Sequence, residues 1–489
     1  MQRIAVIAIL AVAAAARLWF LHAGVPHAVG IDEPQVIGRA LAIVRTGDWN
    51  PHVFDYPTLV IYLHTAVAIV RFLLGAVRGE WSSLDGFSID AVYGSGRFVA
   101  ALIGILTVYF AYRLARELSG RPAATLAAAL LAVHPLHIRE SHFILTDVPM
   151  TALTTLGVWL AVRASRRHDA GAYAWAGAVC GLAAAAKYTG GIALAAPVAA
   201  WAYSEWRRPR RWLTLAAILG SAAIAFIAAA PFTVLDLPAF LDGFAAQFAR
   251  FATPSAGDPA WIVYVKHLSP ASARAAVPLA LAGIAILLRQ RETRRAVVPV
   301  AAFAFVYFYV ISSHSHVFGR YALPLVPIVC VLSSVAAIAL VRYAQARGPF
   351  RTRPAVAAAL MVAAVVFLLW PPASQAVQWL EQYKRSDTRT IAAQWLKANA
   401  PKGARMAVEN NGPTYLDAAG FRIAPTELLV DHPIDWFRAR ADYLVISATD
   451  LSRYGEYLAA GPTVFQVSPT AQRWGPPIVV VSLQPAVAP

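Results

Sequence analysis

Apolar runs long enough to cross a bilayer, about 20 residues each, recur along most of the chain with short polar stretches between them. Residues 1–21 read as a first span, with Arg3 inside and Trp19 near the far interface. The small residues from Ala11 to Ala16 equally suit a cleaved signal peptide; on either reading residue 22 onward lies outside. Further spans are predicted near 97–113, 122–138, 148–162, 212–230, 271–288, 296–312, 321–341 and 354–370. The long apolar stretch 172–204 is interrupted once, at Lys187-Tyr188-Thr189-Gly190-Gly191, and reads as two short helices with the break at the outer face. Residues 57–77 are apolar enough to cross, but a crossing there would invert every later loop. They are therefore expected as a helix lying on or dipping into the outer face, with His64 and Arg71 on its wetter side.

Beyond about residue 374 the pattern changes. Ser386-Asp387 is placed to cap a helix through Thr390 to Ala398, and the runs Arg405–Glu409, Tyr443–Ser447, Thr463–Val467 and Ile478–Leu483 read as strands. The predicted fold class is mainly α: a polytopic membrane protein with about eleven transmembrane helices. Residues 1–373 form the membrane domain, with a large first outer loop at 22–95, and residues 374–489 form a small extracytoplasmic α/β domain.

Composition agrees with a membrane protein. Hydrophobic residues make up 59% and charged residues only 14%, against about a quarter charged in a soluble average; mean hydropathy is +0.56. The net charge of +16 raises the question of nucleic acid, but the arginines sit in short loops between apolar runs: 113–121, 163–167, 207–211, 289–295 and 342–353. These are inner loops by the positive-inside rule, and they provide no continuous basic face for a nucleic acid. Cys180 and Cys330 both fall inside apolar runs, so neither a disulfide framework nor a thiolate metal site is expected.

The remaining polar groups concentrate in outer stretches. Asp32-Glu33-Pro34 lies about ten residues past the first run. A carboxylate there suits a general base for an attacking hydroxyl, with its neighbour holding a metal or orienting the base; ordinary capping of the helix suggested by Val36 to Val44 is the plain alternative. Asp55 and Tyr56 follow in the same loop. A second cluster runs from His134 through Arg139 and His142 to Thr146-Asp147-Val148-Pro149, and a third from Ser312 through His314 and His316 to Arg320-Tyr321. Polar groups at a membrane boundary are costly unless they face water, a ligand or one another. Lys187, one of two lysines before the tail with Lys266, is either a snorkelling side chain or a cation for a phosphate. No P-loop, dinucleotide fingerprint or Gly-x-Ser-x-Gly is present. A carboxylate base with nearby cations is compatible with displacement of a phosphate leaving group.

Asp32-Glu33, the run Gly47-Asp48-Trp49-Asn50-Pro51 with Phe54-Asp55-Tyr56-Pro57, Thr146-Asp147-Val148-Pro149, Gly181 to Gly190, and Arg320-Tyr321-Ala322-Leu323-Pro324 together resemble the bacterial branch of the GT-C glycosyltransferases. That branch is similar to the protein O-mannosyltransferases and to the aminoarabinose transferases of lipid A. The resemblance implies a phospholipid carrier-dependent enzyme in the bacterial inner membrane. It would move a sugar from a polyprenyl-phosphate donor to a lipid, glycan or protein hydroxyl at the extracytoplasmic face, with inversion. By position, it implies Asp32 as base, Glu33 as its partner, Asp147 as a second acid, and Lys187, Arg320 and Arg139 as donor-phosphate residues. Tyr188, Tyr321, Asp55, Tyr56 and His142 are further site candidates. The chain departs from relatives in lacking the tryptophan-rich acceptor signature of oligosaccharyltransferases and an inserted β-trefoil.

His134, His137 and His142 match no strong metal spacing, so no metal or other cofactor is assigned, and local hydrogen bonding is the better explanation of them. The rival class is a polytopic transporter or flippase with a midplane site at the broken helix. Against it, the charges gather at one membrane face.

Overall fold

The computed structural model describes residues 2–167, 169–209, 211–252, 259–269, 275–313, 317–346, 354–424 and 428–484. His314 and His316 of the third expected cluster lie outside the described residues. The helices, in order, are α1 (Gln2–Leu18), α2 (Glu33–Thr46), α3 (Leu59–Val77), α4 (Ile89–Ser119), α5 (Arg121–Ala132), α6 (Pro135–Glu140), α7 (Asp147–Arg167), α8 (Ala170–Ala186), α9 (Ala195–Ser204) and α10 (Arg211–Ala229). They continue as α11 (Phe232–Leu235), α12 (Leu237–Ala252), α13 (Ala260–Leu268), α14 (Ala276–Arg289), α15 (Arg291–Ser312), α16 (Leu325–Ala346), α17 (Pro354–Gln382) and α18 (Thr388–Asn399). Among the described residues α3, α4, α10, α15 and α16 are each long and apolar enough to cross a membrane.

The chain divides into two compact units. The first holds residues 1–21, 35–87 and 95–379. In it α8 packs between α7 and α10, α14 and α5 pack on α16, and α9 packs on α15. Helix α8 approaches α10 at backbone distance: a Cβ on Gly177 would lie 2.2 Å from the Ile218 oxygen, and one on Gly181 2.1 Å from the Ala222 oxygen. Small residues four apart thus form one flat stripe that lets two apolar helices pack without intervening side chains.

Two expectations change here. His64 is buried rather than on a wet side, because positions 60, 61, 64, 65 and 68 share the inward face of α3. Arg71, by contrast, pairs with Glu80 at 2.6 Å. The predicted span 122–138 stops at Ala132, where the chain breaks before Pro135 and restarts as α6. The carbonyls of Leu131, which also accepts from the His134 N–H at 3.3 Å, and of Ala132 each accept from the Arg17 guanidinium at 3.0 Å. A fully buried arginine on α1 thereby satisfies the end of α5, the group of acceptors that a helix C-terminus leaves open.

The second unit holds residues 22–34, 88–94 and 380–489. Its sheet has the order β3-β2-β4-β7-β5, where β2 is Arg405–Val408, β3 Arg422–Ala424, β4 Tyr443–Ser447, β5 Thr463–Val467 and β7 Ile478–Ser482. A separate short pair joins β1 (Ser386–Asp387) to β6 (Arg473–Trp474). Strand β2 runs parallel to β3 and β4, and β7 antiparallel to β4 and β5. The central strands β4 and β7 are buried along their whole length, which is why both read as continuous apolar runs rather than alternating ones. Met406, Val445 and Val480 pack under α18 with Ala392 and Leu396, whereas Ala407, Leu444 and Val479 pack on the other face with Phe437. Asp387 caps α18 by accepting from the Arg389 N–H.

Candidate active site

Three breaks in the helical pattern bring charged groups together in the first unit. At the first, Asp147 opens α7, where a carboxylate is favoured by the N–H groups of the first turn. At the second, α8 ends: Lys187 takes an extended backbone (φ −158°, ψ 135°) and the chain folds into a tight turn, Tyr188–Leu194. The Gly190 N–H donates to the Lys187 oxygen at 2.7 Å, and a Cβ on Gly190 would lie 2.2 Å from the Ala183 oxygen, so only glycine fits this reversal. At the third, residues Gly319–Ala322 form a turn whose Tyr321 oxygen accepts from the Tyr307 hydroxyl at 3.2 Å.

These breaks meet at Lys187. Its ammonium donates to Asp147 Oδ1 at 2.7 Å, and the side chains are only 14% and 3% exposed. The same ammonium lies 4.8 Å from the centroid of the Tyr321 ring. The expected phosphate cation is therefore already one half of a part-buried ion pair with the expected second acid, whose carboxylate is the buried member. Arg320 sits in the Tyr321 turn, with its guanidinium 5.1 Å from the Phe318 ring. Arg139 donates through Nε to Glu140 at 2.8 Å. Burial raises the Glu140 carboxyl, Arg139 opposes that, and Asp147 and Arg320 both lie within electrostatic range of it.

The first-loop residues join the same neighbourhood through Tyr188. Its hydroxyl donates to the Phe54 oxygen at 2.9 Å. Next to Phe54, Asp55 pairs with Arg39 at 2.7 Å and accepts from the Tyr56 N–H at 3.0 Å. His142 is different: its ring nitrogens lie 2.8 Å from the Ile138 oxygen and 2.9 Å from the Trp19 oxygen, and the ring packs on Trp379. Local bonding accounts for this histidine. Among the described residues no group of three potential ligands could hold a metal ion.

Two of the cavities among the described residues of this unit border these groups. One, of about 570 Å³, is apolar and lined by Tyr188, Thr189, Ile192, Leu219, Phe240 and Phe244. The other, of about 350 Å³, is lined by Arg139, Lys266, His267, Gln375 and Trp379. His267 and Arg39 were not expected at a site. The scarcity of lysine was the one signal that pointed toward Lys266.

In the second unit Asp32 and Glu33 stand at the start of α2. Glu33 is fully buried; its Oε2 accepts from the Gly30 N–H at 2.7 Å, while its own N–H donates to the Gly30 oxygen at 3.1 Å. Asp32 is the partly exposed member of the pair. The two acids are thus not equivalent: Glu33 closes a turn, and Asp32 is carried by it.

Residues 84–234 match the family model described as dolichyl-phosphate-mannose-protein mannosyltransferase. This segment contains Arg139, Asp147 and Lys187. Comparison with curated protein sequences returns no match. Among solved structures, an apo oligosaccharyltransferase from Archaeoglobus fulgidus is 14% identical, covering 91% of this chain and 69% of that one, with a TM-score of 0.61. ArnT from Cupriavidus metallidurans, in its structure bound to undecaprenyl phosphate, is 17% identical over 97% of both chains, with a TM-score of 0.59. AglB from Archaeoglobus fulgidus, in complex with an inhibitory peptide and a dolichol-phosphate, is 15% identical over 90% of this chain and 69% of that one, with a TM-score of 0.57. At these identities the likeness is one of fold, and it agrees with the motifs: the chain has the GT-C glycosyltransferase fold.

Proposed function

We propose that the protein is an integral membrane glycosyltransferase that moves a sugar from a polyprenyl-phosphate donor to a hydroxyl acceptor at the extracytoplasmic face of a bacterial inner membrane. The observation that carries this reading is the position of Lys187: a part-buried cation whose next two residues line a large apolar cavity. A phosphate on a long hydrocarbon chain has that chemistry, a compact anion joined to an apolar tail.

In the proposed reaction the acceptor oxygen attacks the anomeric carbon and the bond from that carbon to the phosphate oxygen breaks, so the configuration inverts. The acceptor proton passes to the Asp32 carboxylate. Lys187, Arg320 and Arg139 take up the charge that develops on the departing phosphate, and no separate acid is required because a phosphate leaves as a stable anion. Asp147 holds Lys187 in place, and Tyr188, Tyr321, Asp55 and Tyr56 shape the donor end. Glu33 acts through the turn that carries Asp32. About eleven spans, with the basic loops inside, complete the proposed topology.

The test uses purified protein in lipid, a panel of polyprenyl-phosphate sugars and a crude envelope extract as acceptor, with release of polyprenyl phosphate as the readout. Asp32→Asn is expected to lower turnover about a hundredfold or more while donor binding is kept. No release with any donor, together with solute uptake into liposomes, overturns the reading in favour of a transporter.

A further inference from the structure

We propose that the C-terminal α/β domain acts as a clamp on the loop that carries Asp32, and that Arg389 is its principal positioning residue. This rests on Asp32 being the base.

The observations all lie within the second unit. Arg389, near the start of α18, is buried, with its side chain 9% exposed, and its fork divides between two tasks. Nε and Nη2 donate to the Asp387 carboxylate at 3.0 and 2.8 Å. Nη1 donates to the Val29 oxygen at 3.1 Å, and Nη2 also reaches the Ala28 oxygen at 3.4 Å. Two backbone carbonyls just ahead of Asp32 are therefore bonded to a side chain 360 and 361 residues away in sequence. The Asp387 pair and the Trp474 ring, 5.8 Å from the guanidinium, fix where the fork points.

Thr414 repeats the arrangement on the residues before these. Its N–H donates to the His27 oxygen at 3.0 Å, its hydroxyl donates to the Pro26 oxygen at 2.6 Å, and its own oxygen accepts from His27 Nδ1 at 2.8 Å. Residues 26–29 thus each have a partner from the tail, and the Gly30–Glu33 turn follows directly. A short loop between helical segments has several soft dihedrals per turn, and a general base works only within hydrogen-bond reach of its proton. Holding four consecutive residues removes that freedom just where the base is attached. Arginine suits the task because one planar fork can bind a carboxylate and still direct N–H groups at two carbonyls.

A merely structural tail and a clamp differ in what they move. Ile31 is half exposed and the natural cysteines, Cys180 and Cys330, are buried, so a nitroxide placed through Ile31→Cys reports on the loop alone. Arg389→Lys keeps a cation for Asp387 but lacks the fork, and Thr414→Val removes only a hydroxyl. Each would be made in the full chain in lipid, with turnover measured without the label. The clamp predicts a more mobile label, a kcat lower by about tenfold to a hundredfold for Arg389→Lys, a smaller loss for Thr414→Val, and an unchanged KM for donor. Unchanged label mobility and kcat in both variants overturn it. So does a raised acceptor KM at constant kcat and mobility, which assigns the domain to acceptor recognition instead. Asp32→Asn, measured alongside, separates the two failures: if that variant keeps wild-type turnover, the base reading fails, and the label alone then decides whether the loop is held.

Discussion

The pairs Lys187–Asp147 and Arg389–Asp387 are close to equally buried, with cations 14% and 9% exposed and both carboxylates at 3%. They differ in what the cation does with its other N–H groups. The Arg389 fork is fully engaged, with its carboxylate on one side and backbone carbonyls on the other. Among the described residues Lys187 has one oxygen partner, and an aromatic ring covers another side of the ammonium. The first arrangement has one geometry and suits holding a chain in place. The second keeps hydrogen-bonding capacity on a small, rotatable cation, which suits a group that must exchange partners during a reaction.

The sharpest way to break this comparison is to remove the cation of the first pair. Lys187→Met leaves the Asp147 carboxylate buried without its partner and is expected to lower stability by about 3 kcal/mol, read as thermal unfolding in detergent. Adding Asp147→Asn should return most of that stability but not donor binding. A double variant that binds donor as well as wild type would make Lys187 a structural residue like Arg389.

A smaller effect is expected from the ring. Tyr321→Leu removes the aromatic face from the ammonium and should cost about 1 kcal/mol, seen as roughly fivefold weaker donor binding. Tyr321→Phe keeps the face and should bind normally. Equal losses in the two variants would shift the role from the ring to the hydroxyl.

The same contrast explains what could be read from the sequence. The four predicted strands and the α18 cap stand where the pattern put them, because continuous apolar runs and a capping aspartate are local signals. The break at Lys187 was legible for the same reason, a polar interruption followed by two glycines. What the sequence did not reveal were pairings over long distances: Lys187 with Asp147, Arg17 with the end of α5, and Arg389 with the first loop. The α/β domain begins, in contacts, with residues 22–34, which no composition shift marks. His64 faces inward because the 3.6-residue period of its neighbours, and not its polar type, sets which face of an apolar helix is buried.

The smallest expected effect is a pH dependence of the clamp. His27 Nδ1 faces the Thr414 oxygen, which can only accept, so that nitrogen carries the proton and Nε2 accepts from the Lys397 ammonium at 2.9 Å. A second proton would sit against a cation. Burial lowers the His27 pKa, the Thr414 carbonyl opposes that, Lys397 lowers it further, and Asp90 raises it. With the folded value below the unfolded value, the released loop binds more protons in the interval between them, so the clamp weakens as pH falls below about 6.5. The loss is complete once pH passes below the folded value. A label at Ile31→Cys should therefore gain mobility as pH is lowered from about 7 through and below the unfolded value of about 6.5. Lys397→Met removes one of the terms that depress the His27 pKa, so it narrows the gap between folded and unfolded values and should flatten the profile. Wild-type mobility that stays level across that range would show that His27 keeps its neutral form throughout, leaving Arg389 and Thr414 to hold the loop without it.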